Sequence, residues 1–262
     1  EMPYLEGCSD LGSLVRSGAL ATDRARELGA EVADKVVHVI QQEQSPFEAL
    51  SKHVQEVMEV ALGRLGEEGG FRELIEAREI EIDGEPTRGL RHSFERIRER
   101  GLFEKLEAPP QVRLHGDLIL ENILVPDQAA GTDRPFVFID PVSVAGITAG
   151  HPAFDLVKYE SYASGQLFAI RSGALVGRAS DENCGAFALH RDANRAGEEH
   201  FAAAGLDKIM RQRYRRRYGD PEADLLALLD SYFSLAMAVN TSGAQPLTRA
   251  LVAAKALDAA TP

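Results

Sequence analysis

Cationic side chains, cysteine and tryptophan are scarce in this sequence of 262 residues. It has 29 Lys and Arg against 41 Asp and Glu, a formal net charge of −12, and no tryptophan. An acidic chain repels phosphate backbones, which disfavours a general nucleic-acid-binding protein. The two cysteines, Cys8 and Cys184, form neither a C-x-x-C motif nor a zinc-ligand spacing. They therefore indicate reduced, buried thiols in a cytoplasmic protein.

Long apolar runs are absent as well. The uncharged stretch at residues 231–248 turns polar after Val239 and contains Pro246, so it does not fit a membrane span. The first five residues lack the basic region and the apolar run of a signal peptide. Because the chain opens on Glu1, we expect it to be an excerpt of a longer protein.

Helical periodicity dominates the first hundred residues. Thr22 is predicted to cap a helix whose apolar face runs through residues 28–40. Ser45, followed by proline and then by glutamate three residues after the serine, is predicted to cap a second helix over residues 46–65. A third helical stretch is predicted at residues 90–106.

A β-ribbon is predicted in the middle of the chain. After Pro109-Pro110 the helical period gives way to an apolar run at residues 119–125, a turn at 126–135 and an apolar strand at 136–140. Helices are predicted again at about residues 153–162, 192–204, 221–239 and 245–259. No composition shift marks a second domain, so the predicted fold is α+β and mainly helical, with a short β-ribbon.

Three oxygen-bearing side chains mark this ribbon as the candidate site. Asp117 precedes the first strand, Asn122 follows five residues later, and Asp140 ends the next strand. A ribbon can place the second strand beside the first. One carboxylate can then accept a proton while an amide oxygen and a second carboxylate hold a hard cation such as Mg²⁺. Transfer of a phosphoryl group to a hydroxyl requires that division of roles.

The order of these motifs resembles a known family. H-G-D-x-x-x-x-N at residues 115–122, followed by an apolar strand, a turn and Ile139-Asp140, is similar to the catalytic and metal-binding loops of the aminoglycoside phosphotransferase and choline kinase superfamily. Residues 150–156 resemble its G-x-P-x-x-D-L stretch, and residues 1–7 resemble its interlobe hinge, E-x-h-x-G. The family consists of small-molecule kinases with a protein-kinase-like fold.

The resemblance implies a reaction and the residues that carry it. Asp117 would be the catalytic base, and Asn122 and Asp140 would be the magnesium ligands. The chain would then belong to an ATP- and Mg²⁺-dependent phosphotransferase that acts on a hydroxyl of a small molecule.

Other residues take supporting roles by the same resemblance. His115 and Asp155 would brace the catalytic loop through hydrogen bonds, and the hinge backbone near Met2 and Tyr4 would meet the adenine of ATP, with GTP left open as the donor. The sequence contains no glycine-rich nucleotide loop. Residues 1–262 are therefore predicted to be the C-terminal catalytic and substrate lobe, without the N-terminal nucleotide lobe and inactive on their own.

The acceptor is predicted to be a small molecule. Acidic residues near the cleft would favour a cationic acceptor through charge complementarity, and Glu160 lies about one helical turn beyond Asp155. An aminoglycoside, which would imply a role in antibiotic resistance, an aminated sugar and another small alcohol stay open. Two other classes of protein also stay open: a catalytically silent, kinase-like binding protein and a helical interaction domain.

Two further patterns are interpreted as structural. His190-Arg191-Asp192 spells the H-R-D of protein kinases, but Asn194 follows the aspartate by two residues and not by five. This segment is predicted to start a helix, with Asp192 as its cap. The arginine-rich run at residues 211–217 is predicted to be a solvated helix face that is paired with nearby acids.

Overall fold

The computed structural model describes residues 7–43, 50–126, 135–141, 148–180, 184–192 and 197–260. Helices form most of this part of the chain. The α-helices are α1 (Leu11–Arg16), α2 (Thr22–Lys35), α3 (Leu50–Glu67), α4 (Arg72–Glu76), α5 (Leu90–Glu99), α6 (Ala153–Ala163), α7 (Gln166–Ser172), α8 (Glu198–Ala204), α9 (Leu206–Tyr218), α10 (Ala223–Ala238) and α11 (Gln245–Ala260). A π-helical turn, Val36–Ile40, continues α2.

The strands are short and form three small sheets. They are β1 (Cys8–Asp10), β2 (Glu79–Ile82), β3 (Glu85–Arg88), β4 (Val112–Arg113), β5 (Ile123–Pro126), β6 (Val137–Phe138), β7 (Ala149–Gly150), β8 (Leu175–Ala179) and β9 (Ala186–Arg191). The sheet orders are β1-β5-β6, β3-β2-β9-β8 and β4-β7. All described pairs are antiparallel except β2 with β9. The fold is α+β and mainly helical, as predicted.

Helix α6 lies between two apolar clusters. Phe154 and Val157 belong to a cluster built largely from α3, α5, α10 and α11. Leu156 and Tyr159 belong to a second cluster, to which α1, α2 and α9 contribute. Because apolar side chains on two faces of α6 are buried, the helix is fixed from both sides. A polar side chain on α6 is therefore held in a defined position.

Most of the predicted helices are confirmed, with differences at their ends. Thr22 is the first residue of α2 and makes no capping hydrogen bond, so its predicted capping role was wrong. Val39, predicted on the apolar face, is 47% exposed. The stretch predicted at residues 90–106 ends as α5 at Glu99, and Gly101 follows with a φ of 66°. The predicted cap at Ser45 lies outside the described residues.

Strands outside the two-stranded ribbon were not predicted: β1 joins the ribbon, β4 pairs with β7, and two longer pairs lie elsewhere. β2 and β3 form a hairpin around Asp83 and Gly84, with φ angles of 58° and 82°. Asp-Gly is a strong signal for a two-residue hairpin turn, because both positions require a positive φ. β8 and β9 form the second pair, and β9 includes His190 and Arg191. The predicted helix start at Asp192 was therefore wrong, since α8 begins at Glu198.

The structure shows the exposure of the two cysteines and tests the described helices as membrane spans. Cys8 is half-buried and Cys184 is exposed, and both are free thiols. The expectation of a buried Cys184 was wrong. Within the described residues, every helix is either too short or too polar to cross a membrane.

A stability prediction follows from the close approach of the chain before α5. A Cβ added at Gly89 would lie 1.9 Å from the carbonyl oxygen of Ala77, whereas one added at Gly63 in α3 would have no neighbour within 4 Å. We expect Gly89→Ala to lower the free energy of unfolding by about 3 kcal/mol, because the backbone has to shift. Gly63→Ala should raise it by about 1 kcal/mol through its helix propensity. Urea denaturation of both variants is the measurement, and equal effects would contradict the prediction.

Candidate functional site

A tight loop brings Asp117 and Asn122 together. The amide Nδ2 of Asn122 donates to Oδ2 of Asp117 at 3.0 Å and to the Asp117 backbone oxygen at 2.9 Å. A short helical turn, Leu120–Asn122, closes the loop. Leu118 and Leu120 are buried and anchor the segment between the two polar residues. The five-residue spacing noted in the sequence therefore folds back on itself.

Pairing of the ribbon places Asp140 beside this loop. Ile123 of β5 pairs with Phe138 of β6, and the backbone N–H of Ile139 donates to the backbone oxygen of Asn122 at 3.0 Å. Asp140 is the next residue, with a φ of 50°. A positive φ is uncommon outside glycine, and strained backbone of this kind occurs at functional sites. The strand predicted at residues 136–140 is thus shorter than expected, Val137–Phe138, and Asp140 follows it by two residues.

Asp155 holds the backbone of the loop. This carboxylate, at the first turn of α6, is fully buried and accepts hydrogen bonds from the backbone N–H of His115 at 2.9 Å and of Gly116 at 3.0 Å. Burial raises the pKa of Asp155, and the bonds from His115 and Gly116 oppose that shift. Two buried N–H donors therefore depend on one side chain from α6.

The ring of His115 is buried against the ribbon. Its centroid lies 5.7 Å from that of Phe138, and the residue is 3% exposed. Burial lowers the pKa of His115, although the nearby carboxylates of Asp155 and Asp117 oppose the shift. Burial therefore favours the uncharged form of the ring. The hydrogen bond that links this residue to Asp155 comes from the backbone of His115.

Lys158 is a member of this cluster that the sequence analysis missed. Its Nζ lies 3.1 Å from Oδ1 of Asp117 and 4.8 Å from the ring centroid of Phe233 on α10. The available signal was its position three residues after Asp155, because residues at i and i+3 share a helix face. A single lysine on a helix does not predict such a contact by itself.

Glu160 has a different set of contacts. It accepts a hydrogen bond from Nε of Arg211 on α9 at 2.6 Å and also contacts Nη2 of that guanidinium. Burial raises the pKa of Glu160, and Arg211 opposes the shift. The structure thus joins Glu160 to α9, whereas Lys158 on the same helix contacts the loop. Its predicted contact with substrate stays a prediction.

Three of the five arginines in the arginine-rich run, Arg211, Arg213 and Arg215, are paired with acids, as predicted, whereas Arg217 donates to the backbone oxygen of Val37. Arg213 lies 2.6 Å from Asp34, and Arg215 lies 2.7 Å from Asp220. The pair of Arg213 joins α9 to α2, and that of Arg211 joins it to α6. The pair of Arg215 lies at the C-terminal end of α9.

A small cavity adjoins the loop between Asp117 and Asn122. It has a volume of about 220 Å³. Its lining combines aromatic, hydroxyl and charged groups, among them Ser13, Arg16, Glu121, Tyr162, Phe168 and Arg171. Arg171 donates hydrogen bonds to the Glu121 carboxylate at 2.9 Å and to the Tyr162 hydroxyl at 3.0 Å, since a guanidinium group only donates. Those two partners fix one wall of the cavity.

The donor set around Asp117 suits a hard cation in combination with phosphate oxygens. Nδ2 of Asn122 is used by Asp117, which leaves Oδ1 as the amide atom that can bind a metal. Among the described residues, no group of three or more His, Cys, Asp or Glu side chains could hold a metal ion alone. Mg²⁺ ordinarily takes one or two protein ligands and completes its shell with phosphate oxygens and water. Asn122 and Asp140 fit that pattern. The hinge residues Met2 and Tyr4 lie outside the described part of the chain.

Comparison with known proteins finds similarity at the level of the fold. No protein-family model matches the chain, and no curated protein matches it. Solved structures of glucosamine kinase match with a TM-score of 0.54: a complex with glucosamine, ADP and inorganic phosphate, and crystal forms B and A, at 17%, 17% and 16% identity. The matches cover 97% of this chain and 61%, 58% and 60% of those chains. The chain thus spans about three fifths of the length of these small-molecule kinases, and over that length it shares their fold.

Proposed function

We propose that this chain is the catalytic and acceptor-binding lobe of an ATP- and Mg²⁺-dependent phosphotransferase that acts on a hydroxyl of a small molecule. The observation that carries the proposal is the Asp117 carboxylate, held by the Asn122 amide on a loop beside β6, the strand that precedes Asp140 by two residues. The shared fold with glucosamine kinase supports it. The proposal includes the assignment to the aminoglycoside phosphotransferase and choline kinase superfamily, with residues 1–7 as the interlobe hinge.

The roles of the residues follow from their chemistry. The acceptor hydroxyl donates its proton to the Asp117 carboxylate while its oxygen forms a bond to the γ-phosphorus, and the bond from that phosphorus to the bridging oxygen breaks to release ADP. Asn122 orients Asp117 through Nδ2. Oδ1 of Asn122 and the carboxylate of Asp140 would hold Mg²⁺, which neutralises charge on the phosphates when it is bound.

The acceptor in this proposal is an amino sugar. One of the matching structures contains glucosamine, and aminoglycosides are larger members of the same chemical class. The cavity beside Glu121, about 220 Å³, is smaller than a typical pocket for a drug-sized ligand, which favours a monosaccharide. Glu160, the carboxylate predicted to meet an ammonium group, lines a different cleft together with Arg211, so in this proposal it does not contact a sugar that is bound beside Glu121.

The test measures ADP release by the complete protein with ATP and Mg²⁺ over a panel of glucosamine, other amino sugars, aminoglycosides and non-aminated sugars. Asp140→Asn is expected to lower the turnover number by about 100-fold or more, because the cation that neutralises the phosphates would lose its one charged protein ligand. Its turnover should also require a higher Mg²⁺ concentration. Asp220→Asn, on a side chain that is 82% exposed, is the control and should behave as wild type. Turnover by Asp140→Asn at the wild-type rate would contradict the metal assignment.

The contact between Lys158 and Asp117 favours one alternative, a catalytically silent binding protein of the same fold. In that case the ammonium would occupy Oδ1 of Asp117 permanently. Nucleotide with Mg²⁺ would then raise the melting temperature of the complete protein without release of ADP in the presence of any acceptor.

A further inference from the structure

Lys158 occupies an unusual position for a surface lysine. Its side chain is 13% exposed, and its Nζ lies 3.1 Å from Oδ1 of Asp117. By contrast, Lys52 and Glu56 on α3 form an ion pair in which the side chains are 76% and 61% exposed. A lysine that is withdrawn from water loses hydration and side-chain entropy. The contact with Asp117 therefore needs compensation that an exposed pair does not.

The compensation comes from a second contact. Nζ of Lys158 lies 4.8 Å from the ring centroid of Phe233, a distance at which the π face attracts a cation. Phe233 itself packs against Phe154 and Tyr232, with ring centroids 4.9 Å and 5.0 Å away. The ammonium is thus held between a fixed aromatic ring and the carboxylate.

The two oxygens of Asp117 now have one fixed partner each. Nδ2 of Asn122 binds Oδ2, and Nζ of Lys158 binds Oδ1. A carboxylate offers about four acceptor positions, so positions remain for an acceptor hydroxyl. With both oxygens restrained, the carboxylate cannot rotate freely about its last torsion.

We propose that Lys158 is a positioning residue, which holds the Asp117 carboxylate in the orientation that receives the acceptor hydroxyl. The proposal rests on the proposed function, since it assigns Asp117 the role of the base. It adds a residue from outside the catalytic loop, because that loop, from His115 to Asn122, contains no lysine or arginine. The cation comes instead from α6, the helix that also supplies Asp155.

The experiment compares Lys158→Met and Lys158→Arg in the complete protein. ADP release is measured with the best acceptor of the panel. If no compound of the panel is phosphorylated, the hydrolysis of ATP by water is measured instead. Misplacement of a catalytic group by about 1 Å can cost about 100-fold, so we expect Lys158→Met to lower kcat by about 10- to 100-fold. The KM for ATP should stay within about 3-fold, because the lysine acts on the base. Lys158→Arg should recover most of the lost kcat, since it restores a cation. Lys255→Met, which removes an exposed pair with Asp83, is the matched control.

A double variant separates positioning from other roles. Residues that act as a unit have non-additive effects. Lys158→Met combined with Asp117→Asn should therefore match Asp117→Asn alone to within about 2-fold in kcat. A further loss in the double variant would overturn the proposal, because Lys158 would then act independently of Asp117. Unchanged or increased kcat in Lys158→Met would overturn it too.

Failure of the proposed function gives a different result. In that case Asp117→Asn would be as active as wild type, or the wild-type protein would release no ADP with any acceptor or with water, and the inference about Lys158 would fall with it. If Lys158→Met does not fold, as judged by thermal unfolding, Lys158→Gln and Lys158→Arg give the same comparison with a polar side chain retained.

Discussion

Asp117→Asn in the complete protein is expected to reduce the turnover number by about 10²- to 10⁴-fold, which is the usual contribution of a general base. The amide cannot accept the hydroxyl proton as a carboxylate does, yet it has nearly the same size. It can also still accept the hydrogen bond from Nδ2 of Asn122 through its oxygen. The measurement is ADP release at saturating ATP and acceptor, with KM values determined for both.

The chain offers a close control for this substitution. Asp224 is 29% exposed and pairs with Lys105 at 2.7 Å, while Asp117 is 30% exposed and pairs with Lys158 at 3.1 Å. Asp224→Asn removes the same charge from a carboxylate of similar exposure outside the loop that carries Asp117, so its turnover number should equal that of wild type. Equal losses in the two variants would show that the effect of Asp117→Asn comes from general electrostatics and not from its role as a base.

Asp155→Ala is expected to have the largest effect on stability. It leaves the backbone N–H groups of His115 and Gly116 buried without their acceptor, and each such group costs about 1–3 kcal/mol. The expected loss is therefore roughly 2–6 kcal/mol in the free energy of unfolding, measured by urea denaturation. Asp155→Asn should lose less, because its amide oxygen can still accept one of the two bonds.

The comparison for Asp155 is an exposed carboxylate. Asp220 is 82% exposed and pairs with Arg215 at 2.7 Å, and an exposed ion pair contributes about 0–1 kcal/mol. Asp220→Ala should accordingly change the free energy of unfolding by no more than about 1 kcal/mol. If Asp155→Ala were equally mild, the loop would be held by other contacts than the two backbone bonds.

The candidate site was largely predictable because its signal is local. Asp117 and Asn122 lie within one short loop, and the apolar strands around Asn122 and Asp140 are contiguous in sequence. Spacing and strand pattern therefore predicted that the residues meet. Whether they perform phosphoryl transfer stays a prediction, as do the roles of His115 and Asp155.

Lys158 escaped prediction because its contact depends on tertiary packing. It reaches Asp117 across 41 residues of sequence only after α6 has packed on two clusters of apolar residues. No periodicity in the sequence distinguishes this lysine from one that points into water.

The missed strands have a similar physical origin. Glu and Ile alternate in β2, which is the period of a strand, but the run is only four residues long. β3 carries Pro86, and proline within a short run argues against a strand. The Asp83-Gly84 turn was nevertheless a usable signal. β9 pairs in parallel with β2, far away in sequence, and such a partner cannot be identified from local pattern alone.

The two attachments from α6 to the loop that carries Asp117 have a mechanical consequence. Asp155 binds the loop's backbone and Lys158 binds its carboxylate, so the loop and the helix translate and rotate as one rigid body. A change of shape on ligand binding must then be absorbed by segments outside this pair, because sliding α6 by even a fraction of a turn would break both attachments together.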